Sequence, residues 1–267
     1  MFTLLLAAGA ISAAPPAHVA SLNLCTDSLL FELLPDARIA SVTRLSRDPN
    51  LSPFHARAAR LMVNRGDIEE VVAAAPDLVV TSGMLGVLAG RLLARLDIPV
   101  LSLPHANEFT TYRANLRELA ARLGRKDVAE AHLAQLTRSL AAAAARAARR
   151  PRRSAVLYQP NGYTPGRDSL MQVIMDSAGL DSIAHEHGDA NGDFMDLERL
   201  LVLDPQVLVF STRDTRRPSL AERQLEHPAL RAWRAKATGR SRQVPEAWWT
   251  CAGAYNARAI DALGAGP

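Results

Sequence analysis

The sequence predicts an α/β protein of two lobes, each a parallel-sheet βα sandwich, joined by a long rigid helix. Three observations lead there. Strand-type and helix-type stretches alternate through residues 18–103, the pattern of right-handed βαβ units and a parallel sheet. The alternation stops over residues 108–150, where apolar residues recur at helical spacing, and resumes after Pro151. One helix-to-strand unit also occurs once per half: residues 67–80 read DIEEVVAAAPDLVV and residues 196–209 read DLERLLVLDPQVLV.

In chain order, residues 18–22 read as a short strand and 25–34 as a helix that Asn23 or Thr26 can cap. Strands follow at 38–42, 78–81 and 99–103, with helices at 68–75 and 85–96. In the repeated unit each part has a mechanical reason. The leading Asp suits the N-cap, Glu in the first turn suits the positive end of the helix dipole, and Pro breaks the helix before the buried strand. Leu116, Leu119 and Leu123, then Val128, Leu133, Leu136 and Leu140, mark two helices divided at Gly124. The second, 125–149, is a candidate spine of about 37 Å at 1.5 Å per residue. After it come strands at 155–158, 207–210 and 243–244, and helices at 168–178, 197–203, 228–235 and 256–263. The expected units are 15–106, an N-terminal α/β lobe; 107–150, a helical linker; and 151–267, a C-terminal α/β lobe.

Composition bounds the function. Hydrophobic residues make up 48% of the 267 and charged residues 22%, a globular balance able to fill real cores. Thirty-one basic residues against 27 acidic give a net charge of +4. Only Lys126 and Lys236 among the basic residues are lysines, which reads as an Arg-rich, Ala-rich genome and not as selection for phosphate binding. The dense run from Arg146 to Arg153 closes the spine helix, where cations suit the C-terminal dipole, so no nucleic-acid partner is expected. No run reaches the roughly 18–20 apolar residues of a membrane span. Residues 1–14, an apolar stretch from Phe2 to Ile11 followed by small residues before Pro15-Pro16, read as a signal peptide. Without a cysteine just after that stretch, the expectation is an exported, soluble protein with no lipid anchor. Two cysteines remain, Cys25 and Cys251, and three readings of Cys25 stay open: a disulfide, an inert thiol, or a reactive thiol at a helix N-terminus.

The stretch SLNLCTDSLLFELLPDARIASVT resembles the opening of the class III periplasmic substrate-binding proteins of ABC importers, which carry ferric siderophores and cobalamin. IEEVVAAAPDLVV, DIPVLSLP and VLYQPNGYTPGRDSL resemble later units of the same family, over residues 19–262. The resemblance implies two lobes with a ligand cleft between them, a metal-chelate ligand, a transmembrane permease as partner, no cofactor and no catalysis. It also implies that one exposed carboxylate per lobe, Glu69 and Glu198, docks the permease.

In open parallel sheets, ligands bind beyond the carboxyl ends of the strands. Loops at those ends carry the candidate ligand-binding residues. Asn23, Cys25, Arg44, Arg47 and His105 belong to the first half, and Asn161, Tyr163, Phe194, Arg213, Trp248 and Trp249 to the second. Adjacent tryptophans on a turn cannot both enter one core, so one is expected at the cleft, where flat aromatic surface suits a chelate. Arginines, including Arg216 and Arg217, bind anionic groups in bidentate fashion and favour an anionic ferric siderophore over cobalamin. Two alternatives stand. Bare zinc or manganese would need His55, His105, His185 or His187 to converge with a carboxylate. A chelatase-like enzyme would need an acid–base pair, for which His105 and Glu108 are the nearest candidates. No phosphate loop, nucleophile elbow or metalloprotease helix is present.

Overall fold

The computed structural model describes residues 14–184, 192–213, 219–236 and 239–265. Most of the leader read from the sequence, together with His185, His187, Arg216 and Arg217, lies outside those residues. The first sheet is wholly parallel, built from β1 (Val19–Ser21), β2 (Ile39–Thr43), β3 (Val63–Asn64), β4 (Leu78–Ser82) and β5 (Val100–Leu103) in the order β3-β2-β1-β4-β5. Its helices are α1 (Leu24–Leu33), α2 (His55–Ala58), α3 (Ile68–Ala73) and α4 (Met84–Leu93). The linker holds α5 (Phe109–Leu123) and α6 (Lys126–Ala147). Gly124 ends α5 at φ 66°, a left-handed cap that glycine adopts without strain.

The second half contains β6 (Arg153–Leu157), β7 (Tyr163–Thr164), α7 (Leu170–Ser177), β8 (Leu180–Ser182) and β9 (Asp193–Phe194). It continues through α8 (Leu197–Leu203), β10 (Val207–Thr212), α9 (Leu220–Arg223), α10 (Pro228–Lys236), β11 (Ser241–Pro245) and α11 (Asn256–Gly264). Its parallel sheet runs β11-β10-β6-β8, and β7 pairs antiparallel with β9 as a separate ribbon.

Both sheets reverse direction at their centre. The chain moves one way from β1 to β2 and β3, then crosses back to β4 and β5. In the second sheet it moves from β6 to β8, then crosses to β10 and β11. These switch points leave a crevice at the carboxyl ends of the central strands.

Strand periodicity explains the layers. Successive residues of a strand point to opposite faces. In β4, Leu78 and Val80 face α1 and the linker, while Val79 faces α3 and α4 with Val71 and Leu93. In β10, Val207 and Val209 face the linker side, while Leu208 and Phe210 join Leu200 and Leu230 outside. The two inner faces feed one continuous core. It runs from Val19 and Leu30 through Leu119, Leu133 and Leu136 to Ile174, Val209 and Ile260. The 22-residue α6, about 33 Å long, therefore packs against both lobes as a shared spine. One helix thus joins the two lobes through a single core.

The repeated unit differs in one detail. Asp196 caps α8 as expected, accepting from the Arg199 N–H at 2.7 Å. Asp67 occupies the N-cap of α3 with no side-chain cap hydrogen bond. There Glu70 reaches back instead, to the Arg65 N–H at 2.7 Å.

Candidate functional site at the lobe junction

Cys25 and Cys251 form a disulfide, with S–S 2.03 Å and Cα–Cα 5.3 Å. Cys25 is in the first turn of α1, just past β1. Cys251 follows β11. The bond thus joins the strand-end loops of the two sheets and sets both crevices against one junction. It also leaves no thiol for reactive or coordinating chemistry at either position. Leu24, Leu51, Phe54 and Tyr255 pack around it.

The N-terminal wall is built from short polar residues that bond to one another. Asn23 is the N-cap of α1, its Oδ1 accepting from the Cys25 N–H at 2.8 Å. Its side chain is engaged in the helix start. Asp27 is wholly buried beneath the loop after β2. It accepts from the Thr43 N–H at 3.0 Å, the Thr43 hydroxyl at 2.5 Å and the Ser46 hydroxyl at 2.7 Å. Burial pushes its carboxyl up to about 6, although those donors favour the ionised form. Asp27 thereby fixes the turn that carries Arg44 and Arg47. Arg47 donates to the carbonyls of Ala58, at 3.3 Å, and Leu61, at 2.6 Å, so its guanidinium is held by the α2 segment. Arg44 is exposed on that turn. His105 is exposed and lines two adjoining hollows. One is a narrow slot with Cys25, Ser82 and, from the other lobe, Ala252. The other is a cavity of about 420 Å³ bounded by Glu108 and Thr111 on one side and Arg167 and Asp168 on the other.

The C-terminal wall is more open. A cavity of about 530 Å³ sits at the ends of β6, β10 and β11, lined among others by Gln159, Tyr163, Arg213, Arg234 and Glu246. Tyr163 lies on β7, directly opposite Phe194 on β9, with ring centroids 5.6 Å apart. Phe194 is 67% exposed, an aromatic edge held at the rim. Asn161 stands at the preceding turn with φ 61°, a left-handed conformation asparagine tolerates. Arg213 Nε meets Glu246 Oε2 at 3.1 Å, and burial holds the Glu246 carboxyl above its ordinary range.

The tryptophan pair divides. Trp249 is fully buried, its indole N–H donating to the Ser211 hydroxyl at 3.1 Å, so its ring belongs to the core and not to a ligand. Trp248 is half-buried against that core. Glu69 and Glu198 are exposed on α3 and α8. Sequence reasoning missed Glu246, Arg234 and Asp27. The first two sit in the C-terminal cavity through tertiary packing. The third carried a readable signal, a carboxylate on the inner face of an apolar helix. Among the described residues, no group of three or more His, Cys, Asp or Glu is placed to hold a metal ion.

A family model described as periplasmic binding protein matches residues 19–247. The chain belongs to that family, one of binding proteins and not enzymes. Solved structures share the fold. A periplasmic haem-binding protein from Pseudomonas aeruginosa is 21% identical with a TM-score of 0.73, over 93% of this chain and 91% of that one. The periplasmic haem-binding protein RhuT from Roseiflexus sp. RS-1 is 18% identical with a TM-score of 0.70, over 92% and 95%. The siderophore-binding protein BauB, bound to a complex of two acinetobactin molecules and ferric iron, is 19% identical with a TM-score of 0.70, over 93% and 92%. No curated protein matches the chain. No helix among the described residues is long and apolar enough to cross a membrane.

Proposed function

We propose that this chain captures a metal chelate with an anionic periphery, a ferric siderophore or haem, in the cleft between its lobes, and delivers it to the permease of an ABC importer. One observation carries the reading: both sheets turn their switch-point crevices toward a single junction, closed at its base by Cys25–Cys251 and walled by side chains of both lobes. Family membership and the haem- and siderophore-binding relatives support it.

The ligand contacts then come from His105, Arg44, Tyr163, Phe194, Arg213 and the half-buried Trp248. Glu69 and Glu198, at matched positions of the repeated unit, are the docking carboxylates. Residues 15–106 and 151–267 serve as the two jaws and 107–150 as their frame. Export through the apolar leader delivers a monomer to the periplasm.

Tryptophan fluorescence of the mature protein, titrated with ferric siderophores, haem, cobalamin and zinc, tests the reading. Saturable quenching at micromolar concentration or below by a chelate of the first two kinds is expected. Tight binding of zinc with no response to any chelate would overturn it.

A further inference from the structure

The C-terminal cavity contains a charged group that the sequence did not single out. Arg234, on α10, lays its guanidinium over the Phe210 ring, 4.1 Å from the centroid. Its Nε is buried and meets no acceptor among the described residues. The nearest carboxylate, Glu226, stands 4.0 Å away, and its side chain is 69% exposed. The Arg234 side chain is 24% exposed and lines the cavity of about 530 Å³.

Two other charges of that cavity are better matched, while Arg223 stands exposed at its edge. Arg213 is paired with Glu246 at 3.1 Å. Glu222 is occupied in a capping box, accepting from the Ser219 N–H at 2.6 Å. A second stacked arginine makes the contrast plain. Arg240 lies 4.9 Å from the Trp233 ring centroid and donates to Asp204 Oδ1 at 2.8 Å and to the Asp204 carbonyl at 3.1 Å. A guanidinium has five donors in a fixed fork, and a desolvated donor without an acceptor is unfavourable until one arrives. Burial also disfavours the charge on Arg234, which an incoming anion would offset.

Resting on the capture reading above, we propose that Arg234 is the anion anchor of the C-terminal wall and receives a carboxylate of the bound chelate. A carboxylate matches the guanidinium fork in a bidentate manner. Glu222, Glu226 and Glu246 line the same cavity and would repel a dianion such as phosphate far more than a singly charged group. Phe210 fixes the plane of the fork, so the anchor also sets the angle at which the chelate enters.

The test uses the full mature chain and three probes: iron protoporphyrin IX, which carries two free carboxylates; its dimethyl ester, which carries none; and a ferric catecholate lacking carboxylates. Wild type is expected to bind the free acid about ten- to one-hundredfold more tightly than the ester, the range of a charged hydrogen bond. Arg234→Gln should erase that preference with ester affinity unchanged. Glu226→Gln, at an exposed position that leaves folding intact, should tighten the free acid several-fold by removing the competing carboxylate. A preference that survives Arg234→Gln, or wild-type binding of the ester or the catecholate as tight as that of the free acid, would overturn the anchor and leave the capture reading standing. Binding of no chelate by wild type would overturn both.

Discussion

The two walls of the junction are built in opposite ways. On the N-terminal side, Asn23, Asp27, Thr43, Ser46 and Arg47 bond to one another or to backbone. On the C-terminal side, the ends of β6, β10 and β11 enclose about 530 Å³ with a partly matched set of charges. A preorganised wall loses little entropy when ligand arrives, and an incompletely satisfied one offers it specific partners. The contrast sets a preorganised first wall, from which Arg44 and His105 project, against a second wall with charges left to match. The shared core through α6 and the disulfide keeps the walls in register.

Four perturbations sharpen or break that comparison. The largest effect belongs to the bond between the walls. Cys25→Ser with Cys251→Ser releases a cross-link spanning 226 residues, which in the chain-entropy model contributes about 5 kcal/mol. Urea denaturation should show a loss of that order. A loss below about 1 kcal/mol would mean that the shared core alone holds the lobes together.

Next is Asp27. Its carboxyl is raised in the folded protein from 3.8 to about 6, so the native state binds more protons than the unfolded chain between those values. Its contribution to stability is therefore fully present below pH 3.8 and is lost as pH rises to about 6, by about 3 kcal/mol. Asp27→Asn should flatten that part of the pH–stability curve. An unchanged slope would show that the carboxylate is not the buried, titrating support of the Arg44 turn.

A smaller effect is expected at Glu69 and Glu198, the exposed carboxylates proposed to dock the permease. Glu69→Ala with Glu198→Ala should lower permease-coupled uptake about tenfold through encounter and orientation, while ligand affinity stays within about twofold. Lost ligand binding would contradict the docking role.

The smallest concerns the frame. On α6, His132 Nε2 lies 3.3 Å from Glu32 Oε1 of α1, and the other oxygen of Glu32 accepts from the Tyr112 hydroxyl at 2.6 Å. The Glu32 carboxylate raises the His132 pKa above 6.5. The pair's stabilisation is thus complete below pH 6.5 and lost as pH rises through the higher folded value. In His132→Gln that pH-dependent part should vanish from denaturation midpoints measured between pH 5 and 8.

The architecture was legible because it follows local rules. Strand runs, helix periodicity and the proline breaks placed α8 at Leu197–Leu203 and α6 to within one residue at its start and two at its end. Short elements escaped: β3, β7, β8 and β9 are two or three residues long and exist only through their partners. Loop positions were readable, but side-chain commitments were not. Arg47 and Arg44 are equivalent as letters and both exposed, yet only Arg47 is given to carbonyls of the α2 segment among the described hydrogen bonds. Trp249 and Trp248 separate only when the turn at Glu246–Trp248 aims one ring inward. Arg234 looked like any residue of an amphipathic helix until packing set it over Phe210.

The central claim is that both walls hold one ligand. Amide hydrogen exchange, with and without a chelate that quenches tryptophan fluorescence, tests it most directly. Protection should rise together in residues 104–111 and in 211–213 with 243–248. Protection confined to one lobe, or placed at the outer helices α3 and α8, would contradict capture between the lobes.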